Sequence, residues 1–102
     1  MSTTIINAGT QGEVGYEYTP VVHETHTYQV LLSGSPTAVV ITIYSTINDD
    51  GNWAQCIQHT LSEEDLAAGI SLFHVVNKPY AKAKLEITTL TGGGTATVIG
   101  VW

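Results

Sequence analysis

Residues 80–90 read YAKAKLEITTL. Ala81, Ala83, Leu85 and Ile87 fall at every second position, with Lys82, Lys84, Glu86 and Thr88 between them. Successive side chains of an extended chain point to opposite faces, so this spacing makes one strand with a dry face and a wet face. A helix would scatter the same residues around its circumference. The spacing decides the fold because it recurs along most of the chain.

Upstream, HTYQVLLSG (residues 26–34) groups Tyr28, Val30 and Leu32 and stops at Gly34-Ser35-Pro36. AVVITIYST (residues 38–46) places Val39, Ile41 and Ile43 on one face, and is apolar enough on both to be a central strand. Residues 53–61, 70–76 and 95–102 read the same way, and residues 3–7 form a short first strand. One piece departs from the rhythm. In LSEEDLAAG, Ser62 caps a helix, Glu63, Glu64 and Asp65 fill its first turn, and Gly69 stops it. The three acids answer the positive end of the helix dipole and are not a catalytic cluster. The signals SGSP, NDDGN, NKP and TGGGT separate the runs. About seven short strands without strand-helix alternation predict a single antiparallel β-sandwich, jelly-roll or Ig-like, with one short helical crossover near residues 62–68.

Residues 8–19, AGTQGEVGYEYT, show no period and precede Pro20. They read as a long loop or extended arm, which divides the chain into residues 1–20 (first strand and arm) and residues 21–102 (the sandwich). Tyr16, Tyr18, Val21 and Val22 are apolar enough to dock, either on the chain's own sheet edge or on a neighbouring subunit. With Trp102 they form the candidate interface set.

The chain has 102 residues, enough for one domain with its own core. Charged residues are 12% of the total, about half the share usual in soluble domains, so Thr, Ser, Asn, Gln and Gly must build much of the surface. The net charge is −6, with three lysines and no arginine. That is poor material for meeting phosphates, which argues against nucleic acid, and anionic membranes would repel it. Cys56 is the single cysteine, which excludes an internal disulfide and reads as a small buried side chain. No apolar run approaches a membrane span. The opening MSTTIINAG lacks the basic and apolar regions of a secretion signal, so the expectation is a chain that begins near Met1 and folds in a reducing cytoplasm.

INDDGNW (residues 47–53) gathers oxygen-bearing side chains around a glycine. Aligning Gly51 with the glycine of a calcium loop puts Thr46 first and Ile57 last, and neither supplies the carboxylate needed there. Asp-Gly between two strand-like runs instead predicts a hairpin turn, with Trp53 opening the returning strand and packing over the core. His23 and His26 are three apart, which on a strand sends them to opposite faces. With His59 and His74 they read as solvated or singly hydrogen-bonded side chains, and no metal is expected. LTGGGT lacks the lysine and following helix of a phosphate loop and reads as a flexible hairpin loop. No serine-histidine-acid arrangement stands out, although a triad's members need only meet in space. Lys82, Lys84 and Glu86 read as charges guarding an exposed strand against edge-to-edge aggregation.

Residues 29–102 resemble the small virion proteins of tailed bacteriophages. The resemblance lies in an alternating strand ending in STINDDGNW, then a second strand and short crossover, then NKPYAKAKLEITTLTGGGTATV, in which an aromatic opens an alternating strand and a Thr-Gly loop leads to the last one. Lys82 stands where that family would have an arginine. The resemblance implies a non-enzymatic β-sandwich of the virion, with no catalytic residues and no cofactor. It would be a capsid decoration or cement protein, assembled in the host cytoplasm, binding the major capsid protein or other virion proteins and forming a homo-oligomer such as a trimer. The alternative is a tail- or fibre-associated carbohydrate-binding or adhesin module, for which Tyr16, Tyr18, Tyr44, Trp53 and Trp102 supply candidate aromatic faces.

Overall fold

A computed structural model describes residues 2–19, 25–46, 52–76 and 82–102. Seven strands and one helix follow in the order β1 (Ser2–Gly9), β2 (Thr25–Ser33), β3 (Ala38–Thr46), β4 (Ala54–Thr60), α1 (Glu63–Ala68), β5 (Ile70–Val76), β6 (Lys82–Thr91) and β7 (Thr95–Val101). They form two antiparallel sheets, one ordered β1-β7-β2-β5 and the other β4-β3-β6. The fold is the expected all-β sandwich with one short helix.

The strand order chooses between the two expected topologies. Residues 12–18 run along β6, with bridges from Val14 to Glu86 and from Tyr18 to Ala83. Gly12, Gly15 and Tyr18 donate their amides to the carbonyls of Ile87, Leu85 and Ala83, at 2.8, 2.8 and 2.9 Å. Counting this arm, the pairings nest: β1 with β7, the arm with β6, β2 with β5, and β3 with β4. That is one long hairpin folded over on itself, the wiring of a jelly roll, with the arm in the place of its second strand. The first residues of the chain thus take part in both sheets. The lysine-bearing strand β6, expected from its charges to be an exposed strand guarded against edge pairing, is instead covered along that edge by the arm, and its charges point out from the sheet face.

The inward positions interlock in one core. Tyr28 and Val30 of β2, Val39, Ile41 and Ile43 of β3, Ala83, Leu85 and Ile87 of β6, and Ala96 and Val98 of β7 are all buried. Central β3 also buries Thr42 on its other face, where Gln58 and Thr88 hydrogen-bond its hydroxyl. In β1 the alternation fails locally, since the adjacent Ile5 and Ile6 are both buried. The register slips between Thr4 and Ile6, and this bulge turns two neighbours inward.

The local signals behaved as their chemistry dictates. Ser62 Oγ accepts from the Asp65 amide at 3.2 Å, Asp65 Oδ2 accepts from the Ser62 amide at 3.4 Å, and Gly69 closes α1 at φ +76°. Ser45 pairs with Ala54, so β3 and β4 are the antiparallel neighbours that a hairpin requires, while residues 47–51 and 77–81 lie outside the described residues. TGGGT, however, is not a hairpin loop. Strand β6 pairs with β3 and β7 pairs with β1 and β2, so Gly92–Gly94 carry the chain from one sheet to the other. Trp53 also differs from expectation. It does not cover the core but lies on the outer face beneath the Lys84 ammonium, 4.5 Å from its ring centre.

Candidate interaction surfaces

Three places of different polarity and exposure stand out. The first is the arm. Its five candidate interface residues divide: Tyr16 is exposed, Tyr18 is only 5% exposed, Trp102 is half-buried, and Val21 and Val22 lie outside the described residues. Tyr18 and Trp102 stack on each other at 4.6 Å between ring centres. The Tyr18 hydroxyl meets that of Tyr28 at 2.7 Å in the interior. These two aromatics therefore hold the arm to the chain's own sandwich, and Tyr16 carries the ring that faces solvent.

The second place joins the two sheets at the β4–β5 side. Ser71 is buried on β5, and its hydroxyl donates to Asp65 Oδ2 of α1 at 2.8 Å. His59 of β4 lies with Nε2 at 2.9 Å from the same hydroxyl oxygen and stacks on Phe73 at 4.5 Å. The serine has one proton and it goes to Asp65, so His59 Nε2 must be the donor in the other bond. In a nucleophilic triad the histidine lies between serine and acid and receives the serine proton. Here the serine lies between the imidazole and the acid, and its proton is held by the Asp65 carboxylate. The trio works as a tie between β4, α1 and β5. Sequence reasoning had not brought these residues together. Their signal was polar residues at inward positions of alternating strands, which demand a buried partner.

This tie titrates. Burial lowers the His59 pKa below the ordinary imidazole value, partly opposed by the Asp65 carboxylate. The Ser71 hydroxyl, helped by Ser62 and His59, holds the Asp65 carboxyl below its ordinary range. Both folded-state values are depressed, so both contributions are whole above the unfolded-state values and fade as pH falls through the folded ones. The urea midpoint should fall progressively once pH drops below about 6.5, and again below about 4, where histidine and aspartate of the unfolded chain take up protons. The variant His59→Gln should lack the first part of that loss.

Among the other histidines, which were expected to be solvated or singly hydrogen-bonded, His26 is 1% exposed inside the sandwich, so the solvated state does not apply to it, and His74 is exposed with Nδ1 at 3.0 Å from Thr27 Oγ1. His23 lies outside the described residues. No group of three or more His, Cys, Asp or Glu able to hold a metal occurs among the described residues.

The third place is the outer face of the four-stranded sheet. Strands β1, β2, β5 and β7 contain no Asp, Glu, Lys or Arg. Their register lines up Ile70 with Leu31, Leu72 with Gln29 and Ile99, and His74 with Thr27 and Val101. Leu72 is 57% exposed and Val76 51%, and Leu31, Ile70 and Val101 are exposed beside them. Strand β5 ends this sheet in an unbroken seven-residue register, with neither a bulge nor a charge. The other borders differ: β1 carries two register shifts and β6 is covered by the arm, while edge strand β4 is rich in Gln, His and Thr. Sheet edges are normally blunted by charge, proline, bulges or a covering segment, and among the described residues no strand pairs with the outer edge of β5, which carries no Asp, Glu, Lys, Arg or Pro and no register shift.

No family model and no curated protein sequence matches the chain. In fold it is similar to the SPBc2 prophage-derived protein YomS, whose crystal structure superposes with a TM-score of 0.58 at 20% identity, covering 98% of this chain and 88% of that one.

Proposed function

We propose that the chain is a non-enzymatic structural protein of a bacteriophage particle, a decoration or cement protein that binds the assembled head from outside and strengthens it. The observation that carries this reading is the uncharged four-stranded sheet, whose exposed Leu31, Ile70, Leu72, Val76 and Val101 end at the unblunted strand β5. Contiguous apolar surface of this kind marks sites of protein contact, and a regular sheet edge, unpaired among the described residues, can add strand to strand with a partner. The fold likeness to a protein of prophage origin supports looking for that partner in the virion, above all in the major capsid protein. Self-association into a closed homo-oligomer, such as a trimer on a symmetry axis, fits a surface with so little charge to keep copies apart. The buried Ser71, with its proton committed to Asp65, supports a non-enzymatic role.

The test is co-sedimentation of purified protein with purified heads. The wild type should pellet with the heads, and Leu72→Lys should weaken this at least about tenfold while changing folding stability by no more than about 0.5 kcal/mol. Wild-type protein that stays in the supernatant, or a Leu72→Lys variant that pellets equally well, would refute the reading.

A further inference from the structure

The outer face of the three-stranded sheet holds an open groove of about 260 Å³ lined by Val14, Tyr44, Trp53, Lys84 and Glu86. We propose that this groove is a saccharide site that takes one neutral sugar ring of a glycan. The inference does not depend on what the uncharged sheet binds, since the groove lies on the opposite sheet.

Its walls are of two kinds. Trp53 and Tyr44 supply aromatic rings, and Val14, 54% exposed on the arm, supplies an aliphatic flank. A sugar ring presents a face of C–H groups, slightly positive at hydrogen, which suits an aromatic face for the reason an ammonium does. The Trp53 face already attracts a cation, the Lys84 ammonium at 4.5 Å. The polar groups complement hydroxyls, each of which both donates and accepts. Glu86 Oε1 is engaged by the Tyr44 hydroxyl at 3.2 Å and by Thr88 Oγ1 at 3.3 Å, which leaves Oε2 to accept from a ligand. Lys84 forms no ion pair among the described residues and can donate.

The site is also held in place. Tyr44, Glu86, Thr88, Thr42 and Gln58 form a continuous hydrogen-bonded ladder across β6, β3 and β4. Burial, followed by the hydrogen bond to Glu86 and its charge, raises the Tyr44 pKa, so its hydroxyl keeps its proton and continues to donate. Fixed donors and acceptors lower the ordering cost of binding. Other ligand classes fit less well. One ammonium beside one carboxylate offers no net positive charge to a phosphate or nucleotide. An extended peptide would want a free strand edge, and the arm occupies the one nearest to Val14. The volume lies below the range of drug-sized pockets, which fits one ring and affinity in the millimolar range. Several copies on one particle would convert such weak contacts into strong attachment.

The experiment is a ¹H–¹⁵N NMR titration of the full chain with glucose, galactose, mannose and N-acetylglucosamine in turn. The chain has two tryptophans, so the Trp102 indole, stacked on Tyr18, serves as the internal control. Saturable movement of the Trp53 indole N–H and of the Tyr44 and Glu86 backbone amides with at least one sugar, a still Trp102 signal, and affinity loss of about tenfold or more, read from those backbone amides, in both Trp53→Ala and Glu86→Gln are expected. An unchanged Trp102 signal in each variant verifies the fold. No sugar moving the Trp53 signal beyond that of Trp102, or the same titration in both variants, would overturn the proposal. Saturation by inorganic phosphate in place of every sugar would overturn it as well.

Discussion

Replacing Tyr18 with alanine should destabilise the protein by about 3–5 kcal/mol, the usual cost of deleting a buried aromatic. The ring is 5% exposed, stacks on Trp102 at 4.6 Å, and places its hydroxyl 2.7 Å from that of Tyr28. Three losses coincide: apolar burial, an aromatic pair, and a partner for a buried hydroxyl. The arm that Tyr18 pins otherwise holds to β6 mainly by backbone bonds. Limited proteolysis should therefore cut the variant within residues 10–17 under conditions that leave the wild type whole. The conservative Tyr18→Phe keeps the stack and removes the hydroxyl pair, and should cost about 1 kcal/mol. Urea denaturation of the three proteins checks the order, and equal midpoints would mean that the arm is not part of the folded unit.

Gly94→Ala should cost about 3 kcal/mol, and Gly93→Ala only about 1–2 kcal/mol. The two glycines have nearly the same left-handed backbone, φ +85° and +87°. They differ in surroundings. A Cβ on Gly93 meets open space, whereas one on Gly94 would overlap the Ser33 carbonyl oxygen and press on Pro36. The first variant pays conformational strain alone, and the second must also push apart the turn after β2 and the crossover between sheets. Thermal melts of the pair separate strain from overlap, and identical melting temperatures would contradict the close approach at Ser33.

The strands were legible because alternation is a local property. In residues 82–87 and 38–43 every second side chain is buried as its sequence indicates, apart from the doubly covered Thr42, and the alternation slips beyond them, at the bulge near Thr88 and Thr89 and at Ser45, where Thr46 is buried instead. The capped helix was legible for the same reason, since Ser62 and Asp65 are three residues apart. Partner choice was not legible. Ser2 pairs with Val101 and Thr27 with His74, and nothing in either segment names the other. TGGGT therefore read as a hairpin when it is a crossover. The arm was opaque for a different reason: Gly12, Glu13 and Gly15 bind β6 through amides and carbonyls, which carry no side-chain signature.

The surfaces divide along the same line. Tyr16, Tyr18 and Trp102 drew notice as large side chains in an unpatterned arm or at the end of a strand, yet two of them serve the interior. The uncharged sheet was written in four separate strands and becomes a surface only when β1, β7, β2 and β5 lie side by side. The groove likewise needs Val14, Trp53 and Glu86 from distant segments. Each residue was visible alone, and topology supplied the meeting.

Cryo-electron microscopy of intact particles carrying a gold-labelled copy of this chain would place it directly. Label in a regular array on the outer surface of the head, with the edge strand β5 and residues Leu72 and Val76 against the shell, is the expected image. Particles free of label, with the protein left in the host lysate after assembly, would contradict a role as a cement protein.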